Sequence, residues 1–298
     1  MTILEFKKYF KSELSEWYSE SESTFLYQIF AEKITGFEPR HQRKFSHQQL
    51  LISDEEELKN ILAELKTGKP YQHILGETEF YGMKFFVNEN VLIPRPETEE
   101  LLEFTINRIQ DTRQKIQGSE SEFSDSSGLS DFRTFKILDI GTGSGIIPIV
   151  LKKYFPEAEI SSIDISEKAL EIARKNSDFH QTEIRFIQKD FLNENLDETF
   201  DIIISNPPYI GIDEQNEIAG SVKEFEPEIA LFSPDSNSLV FYEKIAKDCE
   251  NHLSKNGFVF LEINQKLGKE TLELFQHFSE SLLLKDISGN DRIVFVRK

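Results

Sequence analysis

The sequence predicts an α/β protein in which a largely parallel sheet, covered on both faces, follows a small helical bundle. Three observations carry that expectation. From Phe135 onward, short apolar runs alternate with amphipathic helical patterns. A glycine-rich turn, Gly141-Thr142-Gly143-Ser144-Gly145, follows the first of those runs. Before residue 76 the apolar spacing is helical throughout.

In chain order, Ile3, Phe6, Phe10 and Leu14 recur at helical spacing, and Phe25, Ile29 and Phe30 repeat the pattern. Ser53-Asp54-Glu55-Glu56 reads as a capping box ahead of Leu58, Ile61, Leu62 and Leu65, and Gly68 and Pro70 then stop that helix. Residues 1–75 are thus expected to form a small helical bundle. Residues 76–95 are expected to form a β-hairpin linker, because residues 79–87 alternate and Gly82 marks a turn. The third domain spans residues 96–298. Pro96 suits a first helical turn, the acids after it suit the positive end of the helix dipole, and the helix should run to about Ile116. Residues 117–133 are rich in serine and acid and read as a flexible insertion. Strands are then expected at 135–140, 158–163, 183–187, 200–205, 257–262, 282–286 and 292–297, with helices at 146–154, 166–176, 238–253 and 268–276.

Composition narrows the partners. The 298 residues include 53 acidic and 34 basic side chains, a net charge of −19, which disfavours a duplex nucleic acid held through phosphates and suits a basic protein partner. The short run Arg40-His41-Gln42-Arg43-Lys44 is the best local evidence for nucleic acid, and it reads equally well as a solvated turn. Cys249 is the only cysteine, so no disulfide or cysteine-based zinc site forms within one chain. The histidines show no metal-binding spacing. No apolar stretch is long enough for a membrane span and residues 1–8 lack the apolar core of a signal peptide, so a soluble, cytoplasmic protein away from membranes is expected. A monomer is the working expectation, and no feature of the sequence fixes the oligomeric state.

Gly141 to Gly145 let backbone N–H groups approach a ligand, with Thr142 and Ser144 adding small hydroxyls. In the dinucleotide fingerprint the third glycine would fall on Ile146, so a dehydrogenase is disfavoured. Asp164 ends the next strand, where an acid accepts from ribose hydroxyls; the competing reading is a cap for the following helix. Asp190 and Phe191 follow the third strand and offer a polar contact and a flat surface for adenine, with a core phenylalanine as the plainer alternative.

The apolar run at 200–205 ends in Asn206-Pro207-Pro208-Tyr209. An amide or aromatic amino nitrogen is a poor nucleophile because its lone pair is delocalised. Hydrogen-bond acceptors for both of its N–H groups favour a geometry in which that pair faces an electrophilic carbon. The Asn206 oxygen is one such acceptor, and a rigid carbonyl in the Pro207-Pro208 segment is the natural second. Tyr209 can stack on a flat substrate group. The alternative is a proline-broken loop with Asn206 as a turn residue. Taken with the glycine turn, the corner suggests methyl transfer to a planar nitrogen, and a binding module without catalysis would have no need of it.

The two motifs together resemble class I S-adenosylmethionine-dependent methyltransferases acting on amino nitrogens, among them the adenine-N6 nucleic-acid enzymes. Further segments are similar to the peptide chain release factor glutamine N5-methyltransferases: Pro70-Tyr71-Gln72-His73-Ile74-Leu75-Gly76, Glu79-Phe80-Tyr81-Gly82, Leu92-Ile93-Pro94-Arg95-Pro96-Glu97-Thr98-Glu99, Val222-Lys223-Glu224-Phe225-Glu226-Pro227, and Gly289-Asn290-Asp291-Arg292. The resemblance implies a Rossmann-like, seven-stranded methyltransferase domain after the helical bundle and hairpin. It implies S-adenosylmethionine as methyl donor and, as substrate, the glutamine of a Gly-Gly-Gln loop in release factors, with an effect on translation termination and no direct nucleic-acid binding. Gly141 to Gly145 would cradle the methionine part of the donor, Asp164 its ribose, and Phe191 its adenine. Asn206 and the Pro207 carbonyl would grip the glutamine amide beside Tyr209, and the N-terminal helices would dock the release factor. Arg95 and Glu97 either shape the pocket or simply start a helix.

Overall fold

The computed structural model describes residues 1–118, 135–211, 214, 220–234 and 237–298. The expected insertion at 117–133 lies, from residue 119 on, outside the described residues.

The chain divides into two compact units: Met1–Glu77 with Ala219–Phe225, and Thr78–Ile218 with Glu226–Lys298. The first contains α1 (Ile3–Glu13), α2 (Glu20–Thr35), α3 (Pro39–Lys44), α4 (Ile52–Lys66) and α5 (Tyr71–Leu75). Its core gathers Phe6, Phe10, Leu14, Leu26, Tyr27, Phe30, Leu58 and Leu62. Two differences from expectation stand out. The capping boxes are Thr2 with Glu5 and Ser19 with Glu22, whereas α4 starts at Ile52, before Ser53, and has no side-chain cap. Phe25 is exposed, because Leu26, Tyr27 and Phe30 take the inward stripe of α2.

The second unit opens with a hairpin, β1 (Glu77–Phe80) and β2 (Met83–Phe86), turning through Tyr81 and Gly82 at positive φ. Next comes α6 (Pro96–Gly118). Seven strands then form one sheet: β3 (Lys136–Ile140), β4 (Glu159–Asp164), β5 (Arg185–Gln188), β6 (Phe200–Ser205), β7 (Leu253–Glu262), β8 (Glu280–Lys285) and β9 (Asp291–Arg297). Their order is β5-β4-β3-β6-β7-β9-β8, parallel up to β7; β9 runs antiparallel between β7 and β8, so it alone is reversed. Between the strands lie α7 (Ile146–Tyr154), α8 (Glu167–His180), α9 (Gly220–Phe225), α10 (Glu228–Leu231), α11 (Val240–His252) and α12 (Gly268–Glu273). The short α9 groups with the helical unit.

Alternation along the strands builds two cores. On one face Ile202, Ile204, Phe258 and Phe260 pack with Leu101, Leu102 and Ile106 of α6. On the other, Ile203, Val259 and Leu261 pack with Tyr242 and Ile245 of α11. The expected α/β architecture, with helices on both faces of a largely parallel sheet, is the one observed. No described helix is long and apolar enough to cross a membrane.

Candidate active site

Strand β3 has β4 on one side and β6 on the other, so the chain leaves β3 and β6 at a point where the strand order reverses. Ligands in open α/β sheets bind at such a point, outside the carboxyl ends of the strands. A cleft of about 950 Å³ lies there, lined by the segments that follow β3, β4, β5 and β6.

The glycine turn is pinned from below. Gly141 and Thr142 donate their backbone N–H groups to the Ile163 carbonyl at 2.9 and 3.2 Å. Gly141, Gly143 and Gly145 all take positive φ, the region that side chains disfavour. Gly141 to Ser144 line the cleft, but Gly145 does not. A Cβ on Gly145 would stand 3.1 Å from the Ala173 Cβ, so this glycine lets α7 and α8 approach. Buried Asn176 staples the turn to the hairpin: its Nδ2 donates to the carbonyls of Ser144 and Phe86 at 2.8 and 2.9 Å, and its Oδ1 accepts from Phe86 N–H at 2.7 Å.

Beneath the turn, the Asp139 carboxylate is fully buried. Its Oδ2 accepts from Ser162 at 2.5 Å and Thr142 at 3.1 Å, and its Oδ1 has no partner among the described residues. Burial pushes its pKa up to about 7, against the pull of those two hydroxyls.

Asp164 ends β4 and lines the cleft. One carboxylate oxygen accepts from Gly143 N–H and the other from Ser166 N–H, both at 2.9 Å. It therefore braces the glycine turn and the entry to α8, whose cap is Ser166. Burial raises its pKa and these backbone donors oppose the rise. Asp190 accepts from Leu192 and Asn193, closing a turn at the rim. Phe191 belongs to a buried cluster yet lines the cleft, with Lys244 Nζ 5.0 Å from its ring centroid.

The proline corner follows β6, whose last residue, Ser205, donates its hydroxyl to the Ile140 carbonyl at 2.7 Å. Asn206 and Pro208 line the cleft; Pro207 and Tyr209 are not among its lining residues. Pro207 is buried. Tyr209 packs on the second core with its hydroxyl 3.5 Å from Glu262 Oε1. Burial is the first cause of the rise in its pKa. Asn206 Nδ2 donates to Thr98 Oγ1 at 3.1 Å, and Thr98 donates to Glu262 Oε2 at 2.7 Å. Arg95 lines the cleft and pairs with Glu226, while Glu97 lies in the first turn of α6. Thr98, Glu262, Asn176 and Glu226 were not singled out from the sequence as site residues. Each is a buried polar side chain, on a helix (Thr98, Asn176), at a strand end (Glu262) or in the bend between α9 and α10 (Glu226), a signal that only the fold reveals.

A family profile described as "Methyltransferase small domain" matches residues 127–223. The release factor glutamine methyltransferase of Flavobacterium psychrophilum is 42% identical, and the match covers 99% of each chain. That of Lactococcus lactis subsp. lactis is 40% identical over 80% of this chain and 82% of its own. The chain belongs to the release factor glutamine methyltransferase family. Its seven-stranded unit has the class I S-adenosylmethionine-dependent methyltransferase fold. Among solved structures, a methyltransferase from Pyrococcus furiosus is 16% identical, with a TM-score of 0.49 over 80% of this chain and 98% of that one. In this family member the glycine turn, Asp164, Phe191 and Asn206 all border one cleft.

Proposed function

We propose that this protein methylates the N5 side-chain amide of the glutamine in the Gly-Gly-Gln loop of peptide chain release factors, and so modulates translation termination in the cytoplasm. The observation that carries the reading is the meeting of two motifs: a Cβ on Gly141 would stand 3.8 Å from the Asn206 carbonyl oxygen, so glycine turn and proline corner share one wall.

The cleft fits S-adenosylmethionine. A turn of positive-φ glycines suits close approach of an amino-acid tail, Asp164 offers carboxylate oxygens for a ribose, and Phe191 with exposed Ile165 offers flat apolar surface for adenine. Gly141 to Ser144 would hold the methionine part, with Asp190 at the nucleoside end. When bound, the donor supplies an electrophilic methyl carbon on a sulfonium, whose sulfur departs with the bonding pair as a neutral thioether.

The chain's own work is orientation. Asn206 Oδ1 accepts one N–H of the glutamine amide, and the Pro207 carbonyl accepts the other. Pro208 and Tyr209 keep the corner rigid, Tyr209 from the core side, where it packs on the second apolar cluster behind the substrate. Both acceptors draw the nitrogen's lone pair out of conjugation and toward the methyl. After the N–C bond forms, the extra N–H proton passes to water. Alignment of this kind lowers barriers by removing rotational freedom before reaction. The helical unit is assigned to docking of the release factor, a role in which the acidic chain meets a basic partner. A monomer without a nucleic-acid partner completes the reading.

Incubation with isotope-labelled S-adenosylmethionine and a purified release factor, followed by mass spectrometry of the Gly-Gly-Gln peptide, tests it. One added methyl on the glutamine is the expected result. Label in a parallel nucleic-acid lane, with the peptide unmodified, would overturn it.

A further inference from the structure

We propose that Glu262, acting through Thr98, is a positioning residue that holds the Asn206 carboxamide with its oxygen toward the substrate. This deepens the functional reading above and rests on it. Thr98 Oγ1 sits between Glu262 Oε2 at 2.7 Å and Asn206 Nδ2 at 3.1 Å. Thr98 and Glu262 are each only 1% exposed, so water does not compete for these contacts. A hydroxyl has one proton to give. An ionised carboxylate only accepts, so the Thr98 proton points to Glu262 and the Thr98 oxygen is left as an acceptor. The amide NH₂ of Asn206 completes the chain. Turning that amide over would set its oxygen against the Thr98 lone pair. The direction imposed at Glu262 thus reaches the far side of Asn206, where an acceptor is needed for the substrate N–H.

The groups around Glu262 keep it in place and near a switching point. The Tyr209 hydroxyl lies 3.5 Å from Oε1, and the Tyr242 hydroxyl donates to the Glu262 backbone carbonyl at 3.1 Å. Burial is the largest influence and lifts the carboxyl to about 7; the Thr98 hydrogen bond and Arg292 favour the ionised form, and Glu97 opposes it. Once protonated, Glu262 can donate to Thr98. Thr98 can then donate to Asn206, and the carboxamide is free to turn and present NH₂ to the cleft. An N–H donor on the substrate then meets another donor. Falling pH through the neutral range should therefore depress turnover.

The test uses the full chain and its release factor substrate. It measures kcat and KM across pH for wild type, Thr98→Val, Thr98→Ser and Glu262→Gln, with donor affinity from calorimetry. Wild-type kcat should fall on the acid side with an inflection near neutrality. Glu262→Gln has the same shape but imposes no direction, so kcat should drop on the order of 10–100-fold and the inflection should vanish. Thr98→Val should lose kcat similarly while binding the donor normally, and Thr98→Ser should recover it. A Glu262→Gln variant that keeps wild-type kcat, or keeps the same acid inflection, overturns the proposal. So does a Thr98→Val variant impaired only in donor affinity. Should Thr98→Val fail to fold, the Glu262→Gln pH profile decides alone. A wild-type protein that leaves the glutamine unmethylated instead overturns the functional reading, and the positioning role with it.

Discussion

Arg95 and Glu226 meet at 2.6 Å, and the second Glu226 oxygen accepts the Ile93 backbone N–H at 3.0 Å. The Glu226 side chain is 1% exposed, against 35% for Arg95. One carboxylate thus ties the segment before α6 to the segment after α9, at the edge of the cleft that Arg95 lines. Removing it leaves a buried N–H without a partner and an arginine that water can reach. Glu226→Ala should cost on the order of 2 kcal/mol of stability. Denaturant unfolding measures it, and an unchanged midpoint would show that the pair only decorates the surface.

The glycines of the turn differ in what they permit. Gly145 has φ +82 and an added Cβ would crowd Ala173 and Ile149 at 3.1 to 3.3 Å, whereas Gly143 has φ +53 and open space around it. Gly145→Ala should destabilise the fold by about 2 kcal/mol, from left-handed strain plus crowding between α7 and α8. Gly143→Ala should cost only about 1 kcal/mol of strain while obstructing the donor. Thermal melts beside calorimetric titration with S-adenosylmethionine separate the two effects.

Asp164 already accepts two backbone N–H groups, and each oxygen retains a second lone pair for a ribose hydroxyl. Asp164→Asn keeps the shape and loses one acceptor face. Donor affinity should weaken about 10–100-fold, as expected for losing hydrogen bonds to a charged group. Calorimetry giving the wild-type affinity would confine Asp164 to bracing the turn.

Asp139 gives a pH signature of folding. Its ordinary value is 3.8 and burial lifts it to about 7, so between those values the folded chain holds a proton that the unfolded chain has released. Stability from this group therefore falls as pH rises through that window and is level above it. Asp139→Asn keeps acceptors for Ser162 and Thr142 and cannot ionise. Its advantage in melting temperature over wild type should widen as pH rises from about 4 to about 7, the range between the ordinary and lifted values. A constant difference would mean that the buried carboxyl is ionised throughout.

The sheet was legible because its strands are short apolar runs with clear stops. The expected 200–205 strand is β6 residue for residue, and the expected 146–154 helix is α7. Strand β7 starts four residues before the expected 257, because Asn256 at positive φ lets the chain bend and continue pairing. At Ser53 the same local rule misled, since a helix start is decided by where Leu58 and Ile61 must face, and α4 begins two residues before the start that a Ser53 cap implies. Helices α9 and α10, of six and four residues, carry too few apolar repeats to announce themselves. Asn206 was visible because two prolines follow it. Its supports were not, since Thr98 and Glu262 lie 164 positions apart and share no local pattern.

The most direct measurement compares wild type with Asn206→Ala in the same methylation reaction, counting methylated Gly-Gly-Gln peptide by mass spectrometry and donor affinity by calorimetry. The variant should bind S-adenosylmethionine nearly as wild type does and yet leave the glutamine unmodified. Methylation by Asn206→Ala at the wild-type rate would contradict this, because the nitrogen would then be aimed by something other than this carboxamide.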